Sequence, residues 1–366
     1  MKKFLTIILA LLLAFGMTFT AFAEDEAAEA VTTAAEEEAV TDDEAVPIGG
    51  IAGTVSGNSK IINSNFIGDI SGFDQVGGIA GYINNSIVEN CYFSGSINGE
   101  GSVGGIAGYL DNGVIERSYA TGNISGLNQV GGIAGYINYS EINYCYFSGS
   151  INGDSIVGGI AGETDETSVI QTSYVIGNIS GYSSVGGIAG HIYLTSVKNC
   201  YFSGDVSGNR TIGGIVGFKC HYTTIEYCYS LGNVTGNEEN IGGIVGSFNS
   251  VIVRNCVALN DYISTEDSDT NSIGRILGVW DIGLELNNNY ARSELIPMYY
   301  DDGMFKEKNM FHSIGVSDQD GEDVSTTTPN GGYNNQNFWV NTMLWDFTNI
   351  WIMGSDNLPK LRGLYE

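Results

Sequence analysis

Proline is nearly missing from this chain. Its 366 residues include four, Pro47, Pro297, Pro329 and Pro359, and all lie at or beyond the edges of segment 48–284. A stretch of that length without proline fits continuous sheet, where a proline would remove a ladder hydrogen bond. Basic residues are scarce too. There are 14 Lys and Arg against 42 Asp and Glu, a formal net charge of −28. Such a surface repels nucleic acid and anionic lipid, so neither is expected as a partner. The histidines are His191, His221 and His312, and no H-E-x-x-H occurs, which excludes a zincin-type peptidase site. No tryptophan precedes Trp280. Beyond the first 23 residues, no run approaches the ~18 apolar residues of a spanning helix.

The chain opens with "MKK", an apolar run "FLTIILALLLAFGMTF" and a small-residue box "AFA" at 21–23. This reads as a secretory signal peptide over 1–23, with a retained membrane anchor as the alternative. Residues 24–46 hold ten acids and no base, so they are expected to be a disordered acidic linker or an acidic interaction tail. The expected location is secreted or extracellular, with cell-surface association as a further expectation, and no transmembrane segment after signal removal.

Glycine is abundant, 52 of 366 residues, about twice the usual ~7%. Doublets recur at Gly77-Gly78, Gly104-Gly105, Gly131-Gly132, Gly158-Gly159, Gly186-Gly187, Gly213-Gly214 and Gly242-Gly243, with one more at 49–50 and a degenerate "IGRILG" from Ile273. The steps are 27–29 residues, then 32 to the degenerate copy. A fixed period of this size signals a repeat architecture. Each unit carries short runs rich in Ile, Val and Tyr, bounded by Gly, Asn and Ser, which read as strands and turns. Either a solenoid with one coil per repeat or a propeller with one blade per repeat would suit. A blade needs about 40 residues, so the solenoid is preferred: all-β, about nine coils of ~27 residues, and a rod of roughly 40 Å at ~4.8 Å per coil.

The columns support this. Three residues before a Cys/Ser column stand Val88, Ile115, Ile142, Ile170, Val197, Ile225 and Val253, and the next residue is always polar. The apolar set is expected to face in and the polar set out. The doublet glycines are expected to provide positive φ at corners and close approach between strands. Cys91, Cys145, Cys200, Cys228 and Cys256 share a column with Ser118 and Ser173, so the position wants a small residue. Strict alternation would turn the cysteines outward and Tyr92 inward unless a corner falls between. Buried free thiols are expected, with a disulfide sterically conceivable among Cys200, Cys228 and Cys256.

At "VGGIAGYINNSIVENCYFSGSING" the chain resembles the GLUG motif repeat, over about 48–284. The ending "LWDFTNIWIMGSDNLPKL" (344–361) is similar to the Trp-Asp-Phe…Trp…Pro-x-Leu close of such arrays. The resemblance implies a right-handed parallel β-helix in bacterial secreted or cell-surface proteins. Many of these are adhesin-like, and some accompany immunoglobulin-A-cleaving metallopeptidases. Without H-E-x-x-H, only the scaffold part carries over. The organisation read is 1–23 signal peptide, 24–46 linker, 47–284 repeats, and 285–366 an irregular insertion with a C-terminal cap.

Candidate chemistry is thin. Trp345, Phe347 and Trp351 are expected to plug the last coil, with an aromatic carbohydrate platform as the alternative. Asp318, Asp320 and Asp323 in "DQDGED", and the "EDSDTN" loop at 266–271, are weak calcium candidates without EF-hand spacing. Cys220-His221 lacks the paired spacing of a zinc site. Asp69 and Asp205 share a column in distant coils, and no recurring Asp pair sits on adjacent coils. No catalytic or cofactor-binding residue is assigned and no cofactor is expected, Ca²⁺ being the exception. The function expected is a non-enzymatic surface scaffold for an extracellular glycan or a host or bacterial surface protein. The alternatives are a glycan-active β-helix enzyme and a calcium-dependent module.

Overall fold

The computed structural model describes residues 46–268, 270–279, 284–308, 319–327 and 332–364; the signal peptide, nearly all of the acidic linker, Trp280, His312 and Asp318 lie outside them. One coil illustrates the whole. Val76–Gly77, Ala80–Asn84, Ile87–Glu89 and Tyr92–Asn98 are its strands. Each residue pairs in parallel with its equivalents one repeat away: Val103 with Val76 and Val130, Tyr109 with Tyr82 and Tyr136, and Tyr119 with Tyr92 and Tyr146. Three parallel sheets result. The first contains nine short strands, from Ile48–Gly49 to Ile273–Gly274. The fold is a β-solenoid.

The core is the stack of inward columns. In the coil above, Val76, Ile79, Ala80, Ile83, Val88, Cys91, Phe93 and Ile97 are all at most 1% exposed. A lone coil could not bury these side chains, whereas stacking makes each column a continuous apolar ladder.

The corners are not made by the doublet glycines, contrary to expectation. None of those glycines has positive φ. The left-handed residues are Gln75, Asn85 and Asn90 in one coil, at φ 51°, 48° and 52°, and their equivalents elsewhere. Asparagine tolerates that conformation through its short polar side chain. The doublet is glycine for space alone. A Cβ on Gly77 would lie 1.9 Å from Ala80 O, and one on Gly78 would lie 2.1 Å from Gly105 O of the next coil.

The Asn90 corner also decides the cysteine question. It breaks the alternation just before Cys91, so Cys91 points in and Tyr92 points out. Ser118 and Ser173 occupy the same buried column, and their hydroxyls accept the backbone N–H of Cys91 (3.0 Å) and Cys145 (3.1 Å) one coil earlier.

The solenoid continues past 284. Tyr290–Arg292 pairs with Val257–Ala258, and Glu322–Val324 pairs with Tyr290–Arg292. Trp345, Phe347 and Trp351 do not sit over the last coil. They pack on the side of the solenoid, where Trp345 lies 6.0 Å and Trp351 6.2 Å from the Tyr229 ring. The outward tyrosines there offer an apolar surface that the indoles cover. The end is closed instead by Gln319–Val324, as Ile276 and Leu277 donate N–H to Gln319 O.

Candidate functional site

The outward columns of the third sheet form one regular surface. Tyr92, Tyr119, Tyr146, Tyr174, Tyr201 and Tyr229 stack at centroid spacings of 4.6–5.2 Å, with ring planes within 6° of parallel. Ring faces are therefore occupied by neighbouring rings, and the edges carrying hydroxyls face out. Burial, then the ring of Tyr146, pushes Tyr174 up to about 12, so the phenol stays neutral. Beside the tyrosines run Ser94, Thr121 and Ser148, then Ser96, Asn123, Ser150 and Asn178. Ser125 Oγ donates to Asn98 Oδ1 at 3.0 Å across coils. Asp69 and Asp205 flank this uncharged strip, each accepting a backbone N–H from the next coil, of Ser96 (2.8 Å) and Asn233 (2.9 Å).

The C-terminal segment covers the far part of this ladder. Trp339, Trp345 and Trp351 are at most 3% exposed. Trp345 Nε1 donates to Asn255 O (3.1 Å), and Tyr229 Oη donates to Pro359 O (2.6 Å). Buried indoles have no free face for a sugar, so these three are not a carbohydrate platform.

The second sheet carries a different outward column: Tyr82, Tyr109, Tyr136, Glu163, His191 and Phe218. A hydrogen-bonded chain crosses it. Ser102 Oγ donates to Gln129 Oε1 (2.6 Å), and Gln129 Nε2 donates to Glu163 Oε2 (2.6 Å). Glu163 Oε1 meets His191 Nδ1 at 3.1 Å. Burial would raise Glu163, but the hydrogen bonds from His191 and Gln129 outweigh it and hold the carboxyl below its usual value. His191 Nε2 is buried with no hydrogen-bond partner, and Phe218 packs 5.2 Å from the imidazole. Alongside, Tyr136 Oη donates to Asp165 Oδ2 (3.1 Å), and burial followed by that carboxylate raises the phenol. Sequence reasoning missed the Glu163–His191 pair because 28 residues separate the two. The available signal was the replacement of tyrosine by Glu163 and then His191 in successive repeats.

Four segments, 75–98, 99–125, 126–152 and 181–207, match the family model described as the GLUG motif. These four segments are GLUG repeats. The matched segments are successive coils except for the one between 152 and 181, which pairs residue for residue with its neighbours all the same. No curated protein matches the chain. A solved structure from Bacteroides ovatus, described as a "putative immunoglobulin A1 protease", aligns over 83% of this chain and 86% of that one, at 19% identity and a TM-score of 0.49.

Of the weak calcium residues, Asp320 and Asp323 have other partners. Asp323 Oδ1 accepts from Arg275 Nη1 at 2.7 Å. Asp320 is fully buried, accepts the Arg275 N–H at 2.9 Å, and lies 3.4 Å from Lys308 Nζ. The described part of this turn thus lids the last coil, with Asp323 paired to Arg275 and Asp320 to Lys308. In the 266–271 loop, Asp267 lines a shallow cleft of about 300 Å³ with Asn237, Glu238 and Glu239. Among the described residues, no group of three or more His, Cys, Asp or Glu is arranged to hold a metal. The side chains of Cys220 and His221 lie outside the described residues.

Proposed function

We propose that this GLUG-repeat protein is a non-enzymatic, exported bacterial scaffold whose outer ladders engage an extracellular glycan or surface protein. One observation carries the reading: the tyrosine column and the uncharged residues beside it, mostly serine and asparagine, recur in register from coil to coil. A surface that presents the same group every ~4.8 Å suits many weak, equivalent contacts, which sum to avidity. The strip also lacks converging acid and base groups of the sort needed to cleave a bond. A glycan and protein binding array tests this, with Tyr119→Ala/Tyr146→Ala as the weakened variant. Binding that ignores both substitutions would place the contact elsewhere.

A second reading, a glycan-active enzyme, rests on the Glu163–His191 pair with its unpartnered Nε2. A carboxylate on Nδ1 orients an imidazole as a base. Turnover of a polysaccharide that is lost in His191→Ala would support it. A calcium-dependent module is the third reading, and a melting temperature lowered by EDTA would support it.

A further inference from the structure

We propose that Cys200, Cys228 and Cys256 form a cross-linking ladder in which Cys228 bonds covalently to one of its two neighbours and ties adjacent coils together. Position is the argument. Lys198, Glu226 and Arg254 pair in register just before the cysteines, and Tyr201, Tyr229 and Val257 just after them. The three thiols are thereby stacked on consecutive coils, and all are fully buried. Neighbouring strands lie ~4.8 Å apart, within the roughly 4.4–6.8 Å Cα separation of disulfides. Each thiol sits in the same local geometry, donating to the carbonyl two residues before it: Cys200 Sγ to Lys198 O (3.1 Å), Cys228 Sγ to Glu226 O (3.2 Å) and Cys256 Sγ to Arg254 O (3.4 Å). The other two cysteines supply an internal contrast. Cys91 and Cys145 have Ser118 between them, and Ser173 separates Cys145 from Cys200. Those pairs are two coils apart, ~9.6 Å, beyond reach. Cys91, Cys145, Cys200, Cys228 and Cys256 are unbonded thiols in the structure.

The chemistry is thiol–disulfide exchange with a low-molecular-weight disulfide, RSSR, while the coils are still opening and closing. The Cys228 thiolate attacks RSSR, forming a mixed disulfide and expelling RS⁻. The thiolate of Cys200 or Cys256 then attacks the Cys228 sulfur and expels the second RS⁻. Two thiol protons are released and two RS⁻ take them up, so RSSR is reduced to two RSH as the protein thiols are oxidised. Cys228 has two possible partners and can bond only one, so one member of the ladder stays free.

The test is refolding of the full chain in a reduced and oxidised glutathione buffer, then alkylation and peptide mass mapping. Two of the six cysteines should become linked, always Cys228 with either Cys200 or Cys256. Cys228→Ser should abolish the link, because the remaining two are two coils apart. Cys200→Ser should leave 228–256, and Cys256→Ser should leave 200–228. A Cys220→Ser background should change nothing. Serine already occupies this column at Ser118 and Ser173, so the fold should accept it, and circular dichroism checks that it has. If Cys228→Ser does not fold, the two single variants and the Cys200→Ser/Cys256→Ser double variant decide. Six free thiols in the oxidised wild type, or a link that bypasses Cys228, would overturn the proposal.

Discussion

Gly132→Ala isolates what the doublet glycines do. Its Cβ would lie 2.1 Å from Gly159 O of the next coil and 2.5 Å from Phe147 Cγ. Both distances are at least about 1 Å inside the ~3.5 Å of an optimal contact. Neither neighbour can retreat easily. Gly159 belongs to a coil held by Gly132 N–H to Gly158 O (3.2 Å), Ile133 N–H to Ile160 O (2.9 Å) and Ala134 N–H to Ile160 O (3.0 Å), and Phe147 is fully buried. Overpacking costs about 1–3 kcal/mol, and opening the coil interface adds about 1 kcal/mol for each hydrogen bond weakened. A loss of about 4 kcal/mol is expected. Gly57→Ala is the control. Gly57 has φ +76° and nothing within 4 Å of its added Cβ, so only the left-handed penalty of about 1–2 kcal/mol applies. Urea titrations followed by circular dichroism measure both. Gly132→Asn adds a second arm: a residue that accepts positive φ should fare no better than alanine, because Gly132 has none. The reasoning fails if Gly132→Ala costs no more than Gly57→Ala, or if asparagine restores stability.

Other outcomes follow from the same contacts. Arg275 is fully buried and donates to Asp320 O, Gly321 O, Arg292 O and Asp323; Arg275→Met should cost about 3–5 kcal/mol and speed amide exchange first at the last coil. Trp351→Ala removes a fully buried indole from the Tyr201–Tyr229 surface, costing about 3–5 kcal/mol, and should let proteases trim the C-terminal segment while the coils persist. Glu163 is held below its unfolded value, so its contribution is present above an unfolded pKa of about 4.3 and is lost as pH falls through the lower folded value. Melting curves of wild type and Glu163→Gln should differ at neutral pH and converge in acid.

The solenoid was legible because each repeat writes the same columns: Val88, Ile115 and Ile142 inward, Glu89, Glu116 and Asn143 outward. Parallel in-register stacking turns that one-dimensional period directly into three-dimensional neighbours. Local backbone geometry was less legible. Whether Cys91 faced in or out hung on one left-handed residue, and the clue was the recurrence of asparagine at Asn90, Asn199 and Asn255 just before the cysteine column. The glycines misled because their composition is equally consistent with conformational and steric demands, and only the distance from Gly78 to the next coil separates the two. The docking of Trp351 on Tyr201 joins residues far apart in the chain. No period announces it, since Tyr201 looks like any other member of its column until something covers it.

The central claim is an interaction scaffold without turnover. It is tested most directly by incubating the purified chain with a panel of surface polysaccharides and extracellular proteins, reading bound fraction and bond cleavage in the same wells. The account predicts saturable binding that weakens in Tyr119→Ala/Tyr146→Ala, with every ligand recovered intact. Cleavage of any ligand that disappears in His191→Ala would contradict it.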